Sequence, residues 1–518
     1  MNAYNIAHFD LQAQKSHRTD RAIGAVIGSA VGDALGSQYE FGPAHPNDFE
    51  PTFGRSTFGH GVGEWTDDTQ MAMPILEELA RGESLNDTAT LGSILTVWER
   101  WRHDAKDVGN QTRAVLGALG GDLTEGVGRA AAQAIHESSG HSGGNGSLMR
   151  TGPVALGYLA EGREADLADA AGRIAQLTHW EQDNVDAVVL WCLAIRLAIR
   201  TGTFDLRAGL GFVPAGGRRN RWSDLIDRAT AAGTHPRDFR ENNGRVAVAF
   251  LAAAAAISGA TDFRSAITRA IQGGGDTDTV AAITGALAGA LHGASGIPLS
   301  WQRKVHGWPG YDVNDLSRLA FLATRGGKPT TDGYPIAATV PSAHFDHTAP
   351  VQHPADPGVW LGSQNALGEL PDSVTAVVSL CRVGAAEVPE HLESIQVRLI
   401  DQPGQNANLD FTLADATNVL AELRAEGKEV FVHCAEARSR TAAVGALYAV
   451  RHCGVPADQA WTQVKSVLPY FAPSAENRDA VDRLASGGGS TACSACRKPA
   501  PDPRPPERPP CDAPQSVP

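Results

Sequence analysis

The chain has 518 residues, 42% of them hydrophobic and 20% charged; this is more than one hydrophobic core organises, so two or more globular domains are expected and a disordered chain is excluded. A net charge of −14 gives no electrostatic pull toward nucleic acid or anionic membrane, and neither is expected as a partner. Seven cysteines are too few for a disulfide scaffold of this size, and the sequence shows neither a signal-peptide pattern nor an apolar run able to span a bilayer, so the expected setting is soluble, reduced and cytoplasmic.

Residues 1–19 read as a disordered N-terminus. From 20 to 325 the chain is rich in alanine and glycine, with helical patterns at 71–80, 185–200, 246–257 and 280–291 and no sustained alternation, which predicts an all-α domain. Pro74 is expected to kink or delay the first of these helices. Residues 326–354 hold Gly, Pro, Thr and His without apolar periodicity and read as a linker, with His344, His347 and His353 solvated. Adjacent charges such as Arg303 and Lys304 read as a solvated face. Short β-branched runs at 374–380, 395–400 and 429–433 then alternate with helical patterns, predicting an α/β domain with a mainly parallel sheet over 355–486. The last stretch, 487–518, carries nine prolines from 499 onward and reads as a disordered tail; its Cys493, Cys496 and Cys511 are too few for a zinc site.

Two acidic threonine clusters precede apolar helices in the first domain: Thr66-Asp67-Asp68-Thr69 and Asp276-Thr277-Asp278-Thr279. Either alone fits a helix N-terminus with acidic residues in its first turn. Together they offer four carboxylates and several hydroxyls, all hard oxygens with no Cys or His at useful spacing. That set favours Mg²⁺, Mn²⁺ or Ca²⁺ over zinc, and a pair of ions over one.

The runs GAVIGSAVGDALGSQYEF (24–41), EWTDDTQM (64–71), GGNGSLMRTGPVALGY (143–158), LTHW (177–180) and GGGDTDTVAAITGALAGALHG (273–293) resemble, in order and spacing, the ADP-ribosylglycohydrolase family. The resemblance implies a binuclear Mg²⁺ centre (Mn²⁺ being the alternative) ligated by Thr66, Asp67, Asp68, Asp276, Asp278 and Thr279. It also implies that the ions grip the distal ribose while a glycosidic bond to an acceptor such as arginine or serine is hydrolysed. By motif, Glu40 matches a glutamate on a mobile loop near the metals, His179 a substrate-pocket histidine and Asn145 a residue lining the ADP-ribose pocket. Without the resemblance, the favoured readings are Glu40 as a surface residue after a helix and His179 as a satisfied buried histidine.

In the second domain, Cys434 and Arg440 stand with five residues between them in a loop between a β-run and a helix, with Thr441 following. Such a loop turns backbone N–H groups and a helix N-terminus into one concavity, which suits a phosphate dianion and lowers a thiol pKa. Cys434 as thiolate would attack phosphorus, Arg440 would clamp two oxygens, and Thr441 would donate to the departing sulfur. Asp401 is the candidate acid for the leaving oxygen, ahead of Asp410, which leads into a helix. Glu436 and Arg438 either tune substrate choice or are solvated. The domain resembles the dual-specificity branch of cysteine-dependent phosphatases through VWLGSQNAL, VVSLC, these loops and LPYFAPSAENRDAV.

The expected whole is a bifunctional hydrolase acting on an ADP-ribosylated protein or ADP-ribose derivative and on a phosphorylated protein or small phosphomonoester. The phosphatase domain needs no cofactor. The competing reading is a regulatory protein that binds ADP-ribose and phosphate without turnover; a third has both domains acting on one phosphorylated ADP-ribose derivative.

Overall fold

A computed structural model describes residues 3–341 and 349–486. Its N-terminal part is helical, from Ala3–Gly36 to Val313–Ala323. The long helix Ala3–Gly36 packs lengthwise on Thr277–His292, and glycine explains how closely. A Cβ at Gly24, Gly28 or Gly32 would collide with the backbone of Gly289, Gly285 or Ala281, and one at Gly36 would lie 2.6 Å from Thr277 O. This glycine stripe brings Asp33, one residue past Gly32, beside the acidic turn that starts the partner helix.

The C-terminal part carries a five-stranded sheet: β1 Val351–His353, β2 Asp356–Ser363, β3 Val374–Ser379, β4 Glu393–Gln396 and β5 Glu429–Cys434, in the order β1-β2-β5-β3-β4. Only β1 is antiparallel; the other pairings are parallel, as the β-branched runs separated by helices require. β5 is central, its last five residues buried, and it delivers Cys434 at the carboxyl edge of the sheet, directly before the helix Arg440–Cys453. Ligands bind at this edge in open α/β sheets.

Several expectations are corrected. The first helix begins at Ala3 rather than after a disordered 19-residue lead. Part of 326–354 is integrated: Tyr334 and Val340 are buried, Ala385 N and Ala386 N donate to Ala337 O and Ala338 O, and β1 starts at Val351. His353 is buried with its Nε2 on Gly445 O at 3.0 Å. Isolated apolar residues that fill a groove between two bodies have no period, so they pass for a linker. Pro74 sits inside a continuous helix, Asp67–Arg81, where Trp98 Nε1 donates to Met71 O (2.9 Å) in the turn the proline loosens.

The two parts share a polar interface. Arg303, only 7% exposed, is gripped by Glu393 and Glu426 at 2.8 and 2.6 Å, so it is not a solvated charge. Arg398 pairs with Asp20 at 2.8 Å, and Asn408 Nδ2 donates to His292 O at 2.7 Å. His344, His347 and the 487–518 tail with its cysteines lie outside the described residues. Among the described residues no helix is long and apolar enough to cross a membrane.

Candidate functional site

The two acidic clusters meet. Carboxylate oxygens of Asp33, Asp68 and Asp278 lie within 4.8 Å of one another, and so do those of Glu40, Asp276 and Asp278. Thr66 Oγ1 and Thr279 Oγ1 lie 3.2 and 3.4 Å from Asp68 Oδ2. Asp67 belongs to neither triad but lines the same cleft of about 790 Å3, its Oδ2 accepting from Gly109 N. Asp33 is the member that sequence reasoning missed. It accepts from the backbone N–H and hydroxyl of both Thr66 and Thr69, so it caps the helix Asp67–Arg81 from another helix. A lone aspartate inside the apolar run GAVIGSAVGDALG was the available signal.

Burial, joined at most of them by repulsion, pushes Asp33, Asp67, Asp68, Glu40 and Asp278 up. Asp33 rises to about 6 through burial, despite its four hydrogen bonds. Asp67 rises to about 8 through burial, with Asp107 and Asp33 adding repulsion. Glu40 rises to about 9 for the same reasons, Asp276 and Asp107 leading the repulsion. Asp68 and Asp278 lie well above the carboxylate range. Buried Oδ1 of Asp68 and Oε2 of Glu40 have no hydrogen-bond partner, and among the described residues no ion pair neutralises Asp67, Asp68, Asp276 or Asp278. Orphaned hard oxygens in such density fit divalent cations.

Asn145 donates to Asp276 Oδ2 (2.8 Å) and Asn243 O (3.1 Å), so it braces the acidic turn as well as lining the cleft. His179 is buried in the cleft wall against Gly144 and Gly146. Arg150 Nη2 donates to Thr178 Oγ1 (2.5 Å), which bonds His179 Nδ1 (2.8 Å). Arginine only donates, so the arrangement that leaves no donor idle sends the Thr178 proton to Nδ1 and the imidazole proton to Nε2, facing the cleft. Burial first, and the Arg150 charge second, hold this histidine neutral, well below its usual range. Thr178→Val should therefore raise KM about 5- to 10-fold with a smaller change in kcat, at a stability cost of about 1–3 kcal/mol. Thr178→Ser should restore both; steady-state kinetics of the three proteins decide.

At the second site, burial pushes the Cys434 thiol up, but the Arg440 charge and hydrogen bonds from Thr441 and the loop outweigh it, and the thiol sits below its ordinary range. Arg440 Nη1 is tied to Leu380 O (2.8 Å) and Leu399 O (3.1 Å). Its Nε is buried without a hydrogen-bond partner, 3.9 Å from Asp401 Oδ2. Asp401 Oδ1 accepts from Ser439 Oγ (2.7 Å), whereas Asp410 pairs with Arg483 (2.7 Å) at the surface. Glu436 and Arg438 face each other at 3.6 Å.

Ala437 within this loop has φ +54°, the left-handed region that costs a Cβ-bearing residue about 1–2 kcal/mol and turns successive N–H groups inward. Relief of that cost is partly offset by glycine's chain entropy, so Ala437→Gly should leave turnover of an aryl phosphate intact and raise stability by up to about 1 kcal/mol. A lower melting temperature would show that the buried methyl packs too well to lose.

The sequence profile of the family described as ADP-ribosylglycohydrolase matches residues 14–330, and the chain belongs to that family. It is 34% identical over 293 residues to the ADP-ribosylarginine hydrolase Tri1 of Pseudomonas putida (strain GB-1), covering 55% of this chain and 74% of that protein. It is 26% identical over 341 residues to the human ADP-ribosylhydrolase ARH3, covering 56% and 90%. A structure of human DUSP28 aligns with 27% of this chain and 97% of its own, at 26% identity and a TM-score of 0.23.

Proposed function

We propose that the chain is a bifunctional hydrolase: a Mg²⁺-dependent ADP-ribosylglycohydrolase over 20–325 and a phosphomonoesterase working through a phosphocysteine over 355–486. The observation that carries the first activity is the convergence of two distant acidic clusters, with orphaned oxygens, in one cleft of a family member. Thr66, Asp67, Asp68, Asp276, Asp278 and Thr279 would hold a pair of divalent ions, which supply fixed positive charge for the ribose hydroxyls. Asp33 positions the first cluster by capping its helix. His179 presents a fixed Nε2–H to the ligand, and Glu40 Oε2 exchanges the proton of the attacking water. The relative named an ADP-ribosylarginine hydrolase makes an arginine-linked ADP-ribose the first substrate to test.

The observation that carries the second activity is Arg440, whose buried Nε has no hydrogen-bond partner and whose charge lowers the Cys434 thiol. The thiolate attacks phosphorus and the P–O bond to the leaving group breaks. Asp401 gives that oxygen a proton, and water then cleaves the phosphocysteine with Asp401 as base. Ser439 holds Asp401 over the loop. Assays of ADP-ribosylarginine, ADP-ribosylserine peptide and free ADP-ribose derivatives, with and without Mg²⁺, test the first reading. Turnover unaffected by EDTA, or no release of ADP-ribose from any of them, removes it.

A further inference from the structure

Beside the Cys434 loop lies a cavity of about 650 Å3, with Arg440, Asp401 and Ala435 at one side. Another part of its wall comes from Ser16 and Thr19 on the helix Ala3–Gly36, and from Tyr334. That wall is tied in place. Asp20 holds Arg398, Ser16 Oγ donates to Gln405 O at 3.3 Å, and Tyr334 packs edge-on to Phe321 while Arg382 lies 5.1 Å over its ring.

The lining mixes apolar and polar groups, and its charges are partly offset. Arg382 and Arg398 are each offset by an aspartate, Asp332 and Asp20. Beside the apolar Val397, Leu399 and Ile400, the cavity carries the carboxamides of Gln396 and Gln402 and the hydroxyl oxygen of Thr19, which between them donate and accept and so match a polyol. The volume falls in the range of small-molecule sites, about 300–1,000 Å3.

We propose that this cavity is the leaving-group subsite of the C-terminal centre. The centre then hydrolyses a hydroxyl-rich phosphomonoester of sugar or nucleoside size in preference to a phosphorylated protein side chain. The inference rests on the phosphatase reading, and its test separates the two. The full-length protein is assayed on ribose 5-phosphate, p-nitrophenyl phosphate and a phosphotyrosine peptide. Ribose 5-phosphate is expected to exceed the peptide in kcat/KM by at least about 10-fold. Thr19→Trp, which fills the cavity, should lower ribose 5-phosphate turnover relative to p-nitrophenyl phosphate by a similar factor, with retained glycohydrolase activity reporting the fold. Gln402→Ala, at an exposed position, should lower it by about 5-fold, one hydrogen bond's worth. A smaller preference, or a ratio unmoved by either variant, overturns the subsite and leaves the phosphatase standing. No turnover of any of the three removes both.

Discussion

Metal-free protein is expected to lose stability steadily as the pH rises from about 5 to 9, and to regain it with Mg²⁺ only toward the upper end. The sign follows from the carboxyls of the N-terminal cleft. Asp33, Asp67 and Glu40 sit at about 6, 8 and 9, above the roughly 3.9–4.3 of an unfolded chain. In that window the fold binds more protons than the unfolded state, so stability is highest at low pH and is lost as the pH climbs through the folded values. A cation demands the ionised oxygens, so its binding expels protons and tightens with pH. At about 100 times Kd it contributes about 2.7 kcal/mol, or a melting-temperature rise of about 3–4 °C for a unit of this size. Asp278→Asn should abolish ADP-ribose release, raise the metal-free melting temperature by removing a repelled charge, and cancel the Mg²⁺ shift. Calorimetry of both proteins at pH 5.5 and 8.5 decides; a metal-free stability that increases with pH refutes the account.

The second large effect is at Cys434. Cys434→Ser should reduce phosphomonoester turnover to background while phosphate still binds, because the hydroxyl fits the same loop but ionises far less readily than a thiol already lowered by Arg440. Arg440→Ala should weaken binding and turnover together, since its free Nε meets ground state and transition state alike. Asp401→Asn separates protonation from attack. It should slow hydrolysis of an alkyl phosphate far more than that of p-nitrophenyl phosphate, whose leaving group needs little help. An unchanged ratio of the two rates would take the role of acid from Asp401 without touching the cysteine mechanism. Asp410 is then a poor substitute, being held by Arg483 at the surface.

What could be read from the sequence was whatever local chemistry announces: acidic turns before helices, a cysteine and an arginine bracketing a strand-to-helix loop, and β-branched runs that make a parallel sheet. What could not be read depends on residues far apart in the chain. Asp33 acts only because four glycines let its helix approach the partner closely, and spacing within one helix does not reveal the other. The Arg150–Thr178–His179 chain joins two separate motif runs, 143–158 and 177–180, and neither run by itself shows that the arginine reaches the threonine. Tyr334, Val340 and His353 lacked periodicity, because a segment filling a groove between two bodies has no face of its own. Glu40 and Asn145 are near the acids, but their neighbours Asp107 and Asn243 gave no signal in the sequence.

The long N-terminal helix also sets the order in which the molecule is completed. Its glycine face is covered by Thr277–His292, and its Asp20 finds Arg398 across a sequence separation of 378 residues. At roughly 5–20 residues per second of synthesis, that partner emerges about 20–75 s after the aspartate. Contacts of such long range make assembly slow. The Asp20 end of this helix is thus among the last parts to be buried, whereas its glycine face stays exposed to whatever binds nascent chains only until Thr277–His292 has been made.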